Sequence, residues 1–217
     1  MPPLVLLHTA KSQVGFFEAL LSEMAPGLVA RHIVHEDLLI DARRTGLTPG
    51  LAQRVRELVL AAAGEPATLV VCTCSTIGGC AERANEDRPG VVMRIDRPMA
   101  ERAVRIGRRI TIAAALESTL EPTRRLVEDA ARAAHRQVQT TPLLCVDAWA
   151  HFEGGDTEGY FRAIAETVRK DARSADVILL AQASMAGAER LCPELQVPVL
   201  SSPRLGLARA LALYRAL

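Results

Sequence analysis

The residues with the clearest capacity for chemistry lie in one run, Leu-Val-Val-Cys-Thr-Cys-Ser-Thr-Ile-Gly-Gly at residues 69–79. Its first half is continuously apolar, the pattern of a strand buried on both faces. Its second half turns at once to thiols, hydroxyls and glycine. Open α/β sheets bind their ligands outside such strand ends, where a helix begins. The free N–H groups of that helix would stabilise a thiolate at Cys74, so Cys74 is the candidate nucleophile or acid/base. Cys72 still lies on the strand and reads as a core thiol, since free cysteine is among the most buried residue types. Cys72, Cys74 and Cys80 lack the Cys-x2-4-Cys spacing of zinc sites, and no metal is expected. Gly78-Gly79 lacks the spacing of a phosphate loop.

The elements that must position Cys74 follow from apolar runs and breakers. Residues 3–8 read as a first buried strand, with His8 and Thr9 at its C-terminal end. If the strands are parallel, that is the edge Cys74 occupies, and His8 is then either a solvated loop histidine or a substrate contact. A helix follows over residues 14–24, and a second strand over 28–35, with His32 and His35 read as surface residues. Residues 36–46 read as a polar connection with a solvated charged face. Thr48 is a helix N-cap, Pro49 the first helical residue and Gly64 the stop of a helix over 51–63. After the Cys74 turn, a helix is expected over 79–85 and a fourth strand over 91–95.

Asp96 then caps a helix running through Gly107, and a domain junction is placed here. Strands follow at 110–116, 138–146, 177–181 and 197–200. Helices are expected at 126–134, 160–173 and 203–217, with 117–123 as a hydroxyl-rich turn and 149–156 as a loop. Strands alternating with helices argue for a mostly parallel sheet.

Composition bounds the function. The chain has 217 residues, enough for one large or two small domains with a real core. A net charge of +1 with 3% aromatic residues gives no basic groove and no stacking platform, so no nucleic-acid partner is expected. No apolar segment reaches the length of a membrane span, and the N-terminus shows no secretory signal. A cytoplasmic protein is expected, with Cys72, Cys74, Cys80, Cys145 and Cys192 as free thiols.

The run at residues 177–187 has the same shape as the run around Cys74: apolar residues, small polar residues, then glycine. Laying Gly187 on Gly79 places Gln182 on Cys74, 108 residues later and about half the chain. That is the signature of a duplicated unit. Two such halves would bring their strand-end turns to one cleft, the usual place for a small ligand. Its walls would offer Cys74 with His8, Thr9, Ser75, Thr76, Ser118, Thr119, Gln182 and Ser184 as substrate-binding groups. Hydroxyls, amides and helix N-termini suit a small carboxylate.

These residues resemble the aspartate/glutamate/hydantoin racemase superfamily, which includes arylmalonate decarboxylase and maleate cis–trans isomerase. Thr73-Cys74-Ser75-Thr76 looks like its Cys-Asn/Ser-Thr element, and Glu117-Ser118-Thr119 like the turn that opens the second half. The run at residues 178–182 stands where the family carries Leu-Gly-Cys-Thr.

The resemblance implies two pseudo-symmetric α/β halves, each a roughly four-stranded parallel sheet flanked by helices. The halves would be residues 1–97 and 98–202, with the helix at 203–217 packing back on the first. It also implies chemistry at the carbon α to a carboxylate with no metal or pyridoxal cofactor, and a homodimer or higher homo-oligomer. In the racemases one thiolate removes the α-proton and a second thiol delivers one from the opposite face. Here the second position is Gln182, which cannot carry a proton. A one-cysteine racemase, a decarboxylase, a cis–trans isomerase and a silent carboxylate-binding protein therefore all stay open.

Overall fold

Among the described residues, eight strands divide into two sheets of four, every pairing parallel. The computed structural model describes residues 3–64, 66, 68–171 and 174–216. The first sheet holds β1 (Val5–His8), β2 (Arg31–Val34), β3 (Val70–Cys72) and β4 (Val92–Arg94) in the order β2-β1-β3-β4. The second holds β5 (Arg109–Ala114), β6 (Gln139–Leu144), β7 (Val177–Leu180) and β8 (Val199–Ser201) in the order β6-β5-β7-β8. The two orders are the same once each strand is renumbered by four. The central strands β1, β3, β5 and β7 are almost wholly buried, as continuous Val/Ile/Leu runs between helices must be.

The chain forms two compact units. One runs to Ile95 and resumes at Pro203, and the other spans Asp96–Ser202. The first contains α1 (Gln13–Met24), α2 (Glu36–Thr45), α3 (Pro49–Ala63) and α4 (Ser75–Glu82), and nearly all of α9 (Ser202–Tyr214). The second contains α5 (Arg97–Ile106), α6 (Glu117–Ala133), α7 (Ala148–Glu153) and α8 (Thr157–Asp171). The start of α3 follows the sequence: Thr48 accepts from Leu51 N at 3.2 Å and Pro49 opens the helix. Helix α9 belongs to the first unit through a close approach, because a Cβ on Gly206 would lie 2.1 Å from the Ile95 carbonyl oxygen. Arg204 at its start pairs with Glu23 of α1.

Several expectations need correction. Residues 36–46 are not a polar connection. They are helix α2, which buries Leu38 and Ala42 and turns Asp37 and Asp41 toward Arg54 of α3 at 2.8 and 2.9 Å. Helix α6 begins at Glu117 rather than 126, with Pro122 inside it. Residues 148–153 form helix α7, where a loop was expected. Helix α4 starts at Ser75, directly after Cys74, and ends in a 3-10 turn at Arg83–Glu86. Asp96 precedes α5 without capping it through its side chain. The expected ends of two helices, Arg173 and Leu217, lie outside the described residues.

Candidate active site

In the first unit, β3 delivers Cys74 to the residue before α4, in extended conformation at φ −99° and ψ 115°. Its thiol makes no side-chain bond to the helix end. Cys74 is half-buried, while Cys72, Cys80, Cys145 and Cys192 are buried. Burial pushes the Cys80 and Cys192 thiols up, away from reactivity. Ser75 and Thr76 open α4 and are buried, as is Thr9 after β1.

Beneath α4 lies Arg94 of β4, only 3% exposed. Its Nη2 donates to the Ser75 carbonyl at 3.3 Å. Gly78 makes room for it, since a Cβ there would lie 3.1 Å from the Arg94 Nε. The Arg94 guanidinium thus ties the backbone of the residue that follows Cys74. The sequence signal for it is a lone arginine in the otherwise apolar strand 91–95.

His8 is not a solvated loop histidine. It is the last residue of β1, fully buried, and both ring nitrogens have protein partners. Nδ1 lies 2.9 Å from Thr73 Oγ1, and Nε2 lies 2.9 Å from His32 Nδ1. The Thr73 hydroxyl also donates to the Leu7 carbonyl at 3.0 Å. It has one hydrogen, so it must accept from His8 Nδ1–H, and His32 Nδ1–H must then donate to His8 Nε2. His32, expected on the surface, is instead half-buried and stacked on His8 with centroids 5.1 Å apart. Burial, with His32 alongside, pushes His8 down to about 4. The ring is neutral at pH 7 and both of its nitrogens are bonded to neighbouring side chains, so it braces the turn.

In the second unit, β7 delivers Gln182 in nearly the same backbone conformation, φ −106° and ψ 140°, before a 3-10 helix at Ala183–Leu191. Here the side chain is engaged. Gln182 Oε1 accepts from Ala115 N at 2.7 Å and Leu116 N at 3.1 Å. These are the residues between β5 and α6, so the amide carbonyl ties one strand end to the next. Thr119 is buried in the first turn of α6. Ser118 Oγ is buried with no hydrogen-bond partner. Ser184 is bonded to Tyr160 OH at 2.9 Å. The expected substrate groups of this unit are therefore partly spent on its own structure.

Two parallel four-stranded sheets in repeated order, with small polar strand-end turns, define a duplicated α/β protein. A family profile described as Asp/Glu/Hydantoin racemase matches residues 17–210, and the chain belongs to that family. Solved structures agree in fold. A glutamate racemase from Bacillus anthracis is 14% identical with a TM-score of 0.69, covering 99% of this chain and 82% of that one. An aspartate racemase from Picrophilus torridus is 13% identical with a TM-score of 0.67, covering 99% and 94%. A glycine-to-cysteine mutant of arylmalonate decarboxylase is 16% identical with a TM-score of 0.59, covering 99% and 94%. No curated protein matches the chain. Among the described residues, no helix is long and apolar enough to cross a membrane, and no group of side chains could hold a metal ion.

Proposed function

We propose that this protein is a cofactor-independent cytoplasmic enzyme that works at the carbon α to the carboxylate of a small acid or amino acid, with Cys74 as its single acid/base. One observation carries the reading. Cys74 stands between a buried strand and a helix start, half-exposed and unbonded at the helix end, while the four other cysteines are buried. The thiolate takes the α-proton, and the C–H electron pair moves into the carboxylate. Backbone N–H groups and hydroxyls of the turn hold the enediolate that results. The same thiol then returns a proton to the same face. Gln182 supplies no proton, because its carbonyl is held by two backbone N–H groups and its amide does not ionise.

That one-sidedness supports a second reading within the same chemistry. In a decarboxylation the C–C bond breaks instead, carbon dioxide leaves, and the Cys74 thiol protonates the carbanion.

Proton NMR in D2O separates the outcomes, with aspartate, glutamate, hydantoins, arylmalonates and maleate offered to wild type and Cys74→Ala. Exchange of the α-proton with retained configuration, in wild type only, is the expected result. Loss of a carboxyl group points to decarboxylation. Equal behaviour of wild type and Cys74→Ala, in folded protein, overturns the reading.

A further inference from the structure

Gln182 is the second unit's counterpart of Cys74, and its orientation is fixed by chemistry. Two backbone N–H groups, on Ala115 and Leu116, lie within 2.7 and 3.1 Å of one end of its amide. Two donors require an acceptor, so that end is the carbonyl oxygen and the other end is the NH2 group. Ala115 is 5% exposed and Leu116 is 8% exposed, so the anchor is largely shielded from water. The amide plane is thereby held at one end. Among the described residues no acceptor is found for Nε2, and Gln182 is half-buried. The side chain consumes two inward-facing donors of the turn and presents two N–H donors of its own further out.

We propose that Gln182 is the specificity-determining residue of the second unit: its locked amide donates Nε2–H to a carboxylate oxygen of the ligand. It takes no part in proton transfer. This rests on the reading that the ligand is a small carboxylate, and it deepens that reading by assigning which group recognises the acid. A glutamine here selects for an acceptor and rejects a donor. An alanine would leave the turn's own N–H groups open.

The test separates recognition from support. Gln182→Glu keeps an acceptor oxygen on Ala115 and Leu116, and its negative charge near the start of α6 is favourable there. The turn should stay intact and the melting temperature should not fall. The outward group, however, becomes a carboxylate oxygen, which repels a carboxylate ligand. Gln182→Ala loses both the support and the donor. Malonate, maleate and aspartate are titrated into each protein by calorimetry. In parallel, 15N spectra follow the wild-type side-chain NH2 signal that disappears in Gln182→Glu.

The expected result is that at least one probe binds wild type and shifts that NH2 signal. Gln182→Glu then binds it about tenfold or more weakly with an unchanged or raised melting temperature. A probe that binds wild type without moving the NH2 signal, and binds Gln182→Glu equally well, overturns this assignment and leaves the carboxylate reading standing. Binding restored to the wild-type level in Gln182→Glu but lost in Gln182→Ala shows that Gln182 only supports the turn, which also overturns it. No binding of any probe to folded wild type overturns the carboxylate reading and this inference with it.

Discussion

The two strand-end turns share a backbone and differ in almost every polar residue. Thr73 N bonds to the Leu7 carbonyl in one unit, and Ala181 N to the Ala113 carbonyl in the other, at 2.9 and 2.8 Å. That correspondence sets His8 against Ala114, Thr73 against Ala181, Cys74 against Gln182 and, through the sheet registers, His32 against Pro142 and Arg94 against Ser201. The first unit braces its turn with a histidine pair, His8 buried and His32 half-buried, and an arginine, and leaves the thiol unbonded at the helix end. The second has apolar residues where the histidines stood and braces its turn through the Gln182 carbonyl, which accepts from Ala115 N and Leu116 N. One fold thus leaves the side chain before the helix unbonded at the helix end in one copy and fixed in the other, according to where the supporting hydrogen bonds come from.

The comparison can be broken most sharply by activity. Cys74→Ala should reduce α-proton exchange by about a hundredfold or more, while Gln182→Ala should retain exchange and raise KM, measured by NMR in D2O. Comparable loss of kcat in both variants would mean the turns are catalytic equals.

The next largest effect is on stability against pH. His8 has a folded value of about 4 against 6.5 for the unfolded group. Between those values the unfolded chain takes a proton that the folded chain refuses. Stability is therefore full above pH ~6.5 and falls as pH drops toward ~4, by about 3 kcal/mol. His8 and His32 titrate as a pair, so the slope belongs to both. Urea unfolding at pH 7 and pH 4.5 should show this loss, and His8→Phe should flatten it. An undiminished slope in that variant would remove the histidine brace from the comparison.

Smaller effects run in the opposite direction to activity. Gln182→Ala leaves the Ala115 and Leu116 N–H groups without their partner and should cost about 1–3 kcal/mol in urea unfolding. Cys74→Ala removes no bond to the helix end and should cost under about 1 kcal/mol. Ser184→Ala loses the bond to Tyr160 and should also cost about 1 kcal/mol, with KM unchanged. A raised KM would return Ser184 to the substrate groups.

Much of the frame was legible because buried parallel strands announce themselves as apolar runs, and because the run at residues 177–187 repeats the shape of the run at 69–79. What escaped notice depended on partners distant in sequence. Helix α2 looks like a charged loop until Arg54 is seen between Asp37 and Asp41. Pro122 hid the first two turns of α6, although a proline that early interrupts few helical bonds. His32 lies 24 residues from His8 and is drawn in only by strand pairing. Cys74 could be picked out by its place at a strand end. That Gln182 bonds to Ala115 and Leu116 could not, since no local pattern specifies it.

The return of α9 to the first unit has a consequence for how the protein is made. The first unit is interrupted by roughly a hundred residues of the second before its last helix appears. At about 5–20 residues per second, a growing chain waits several seconds with the ledge at Ile95 uncovered, while the second unit has all its residues in hand. The inserted half can mature during translation. The half that bears Cys74 is completed only when Gly206 closes on Ile95, so that unit is finished after the inserted one.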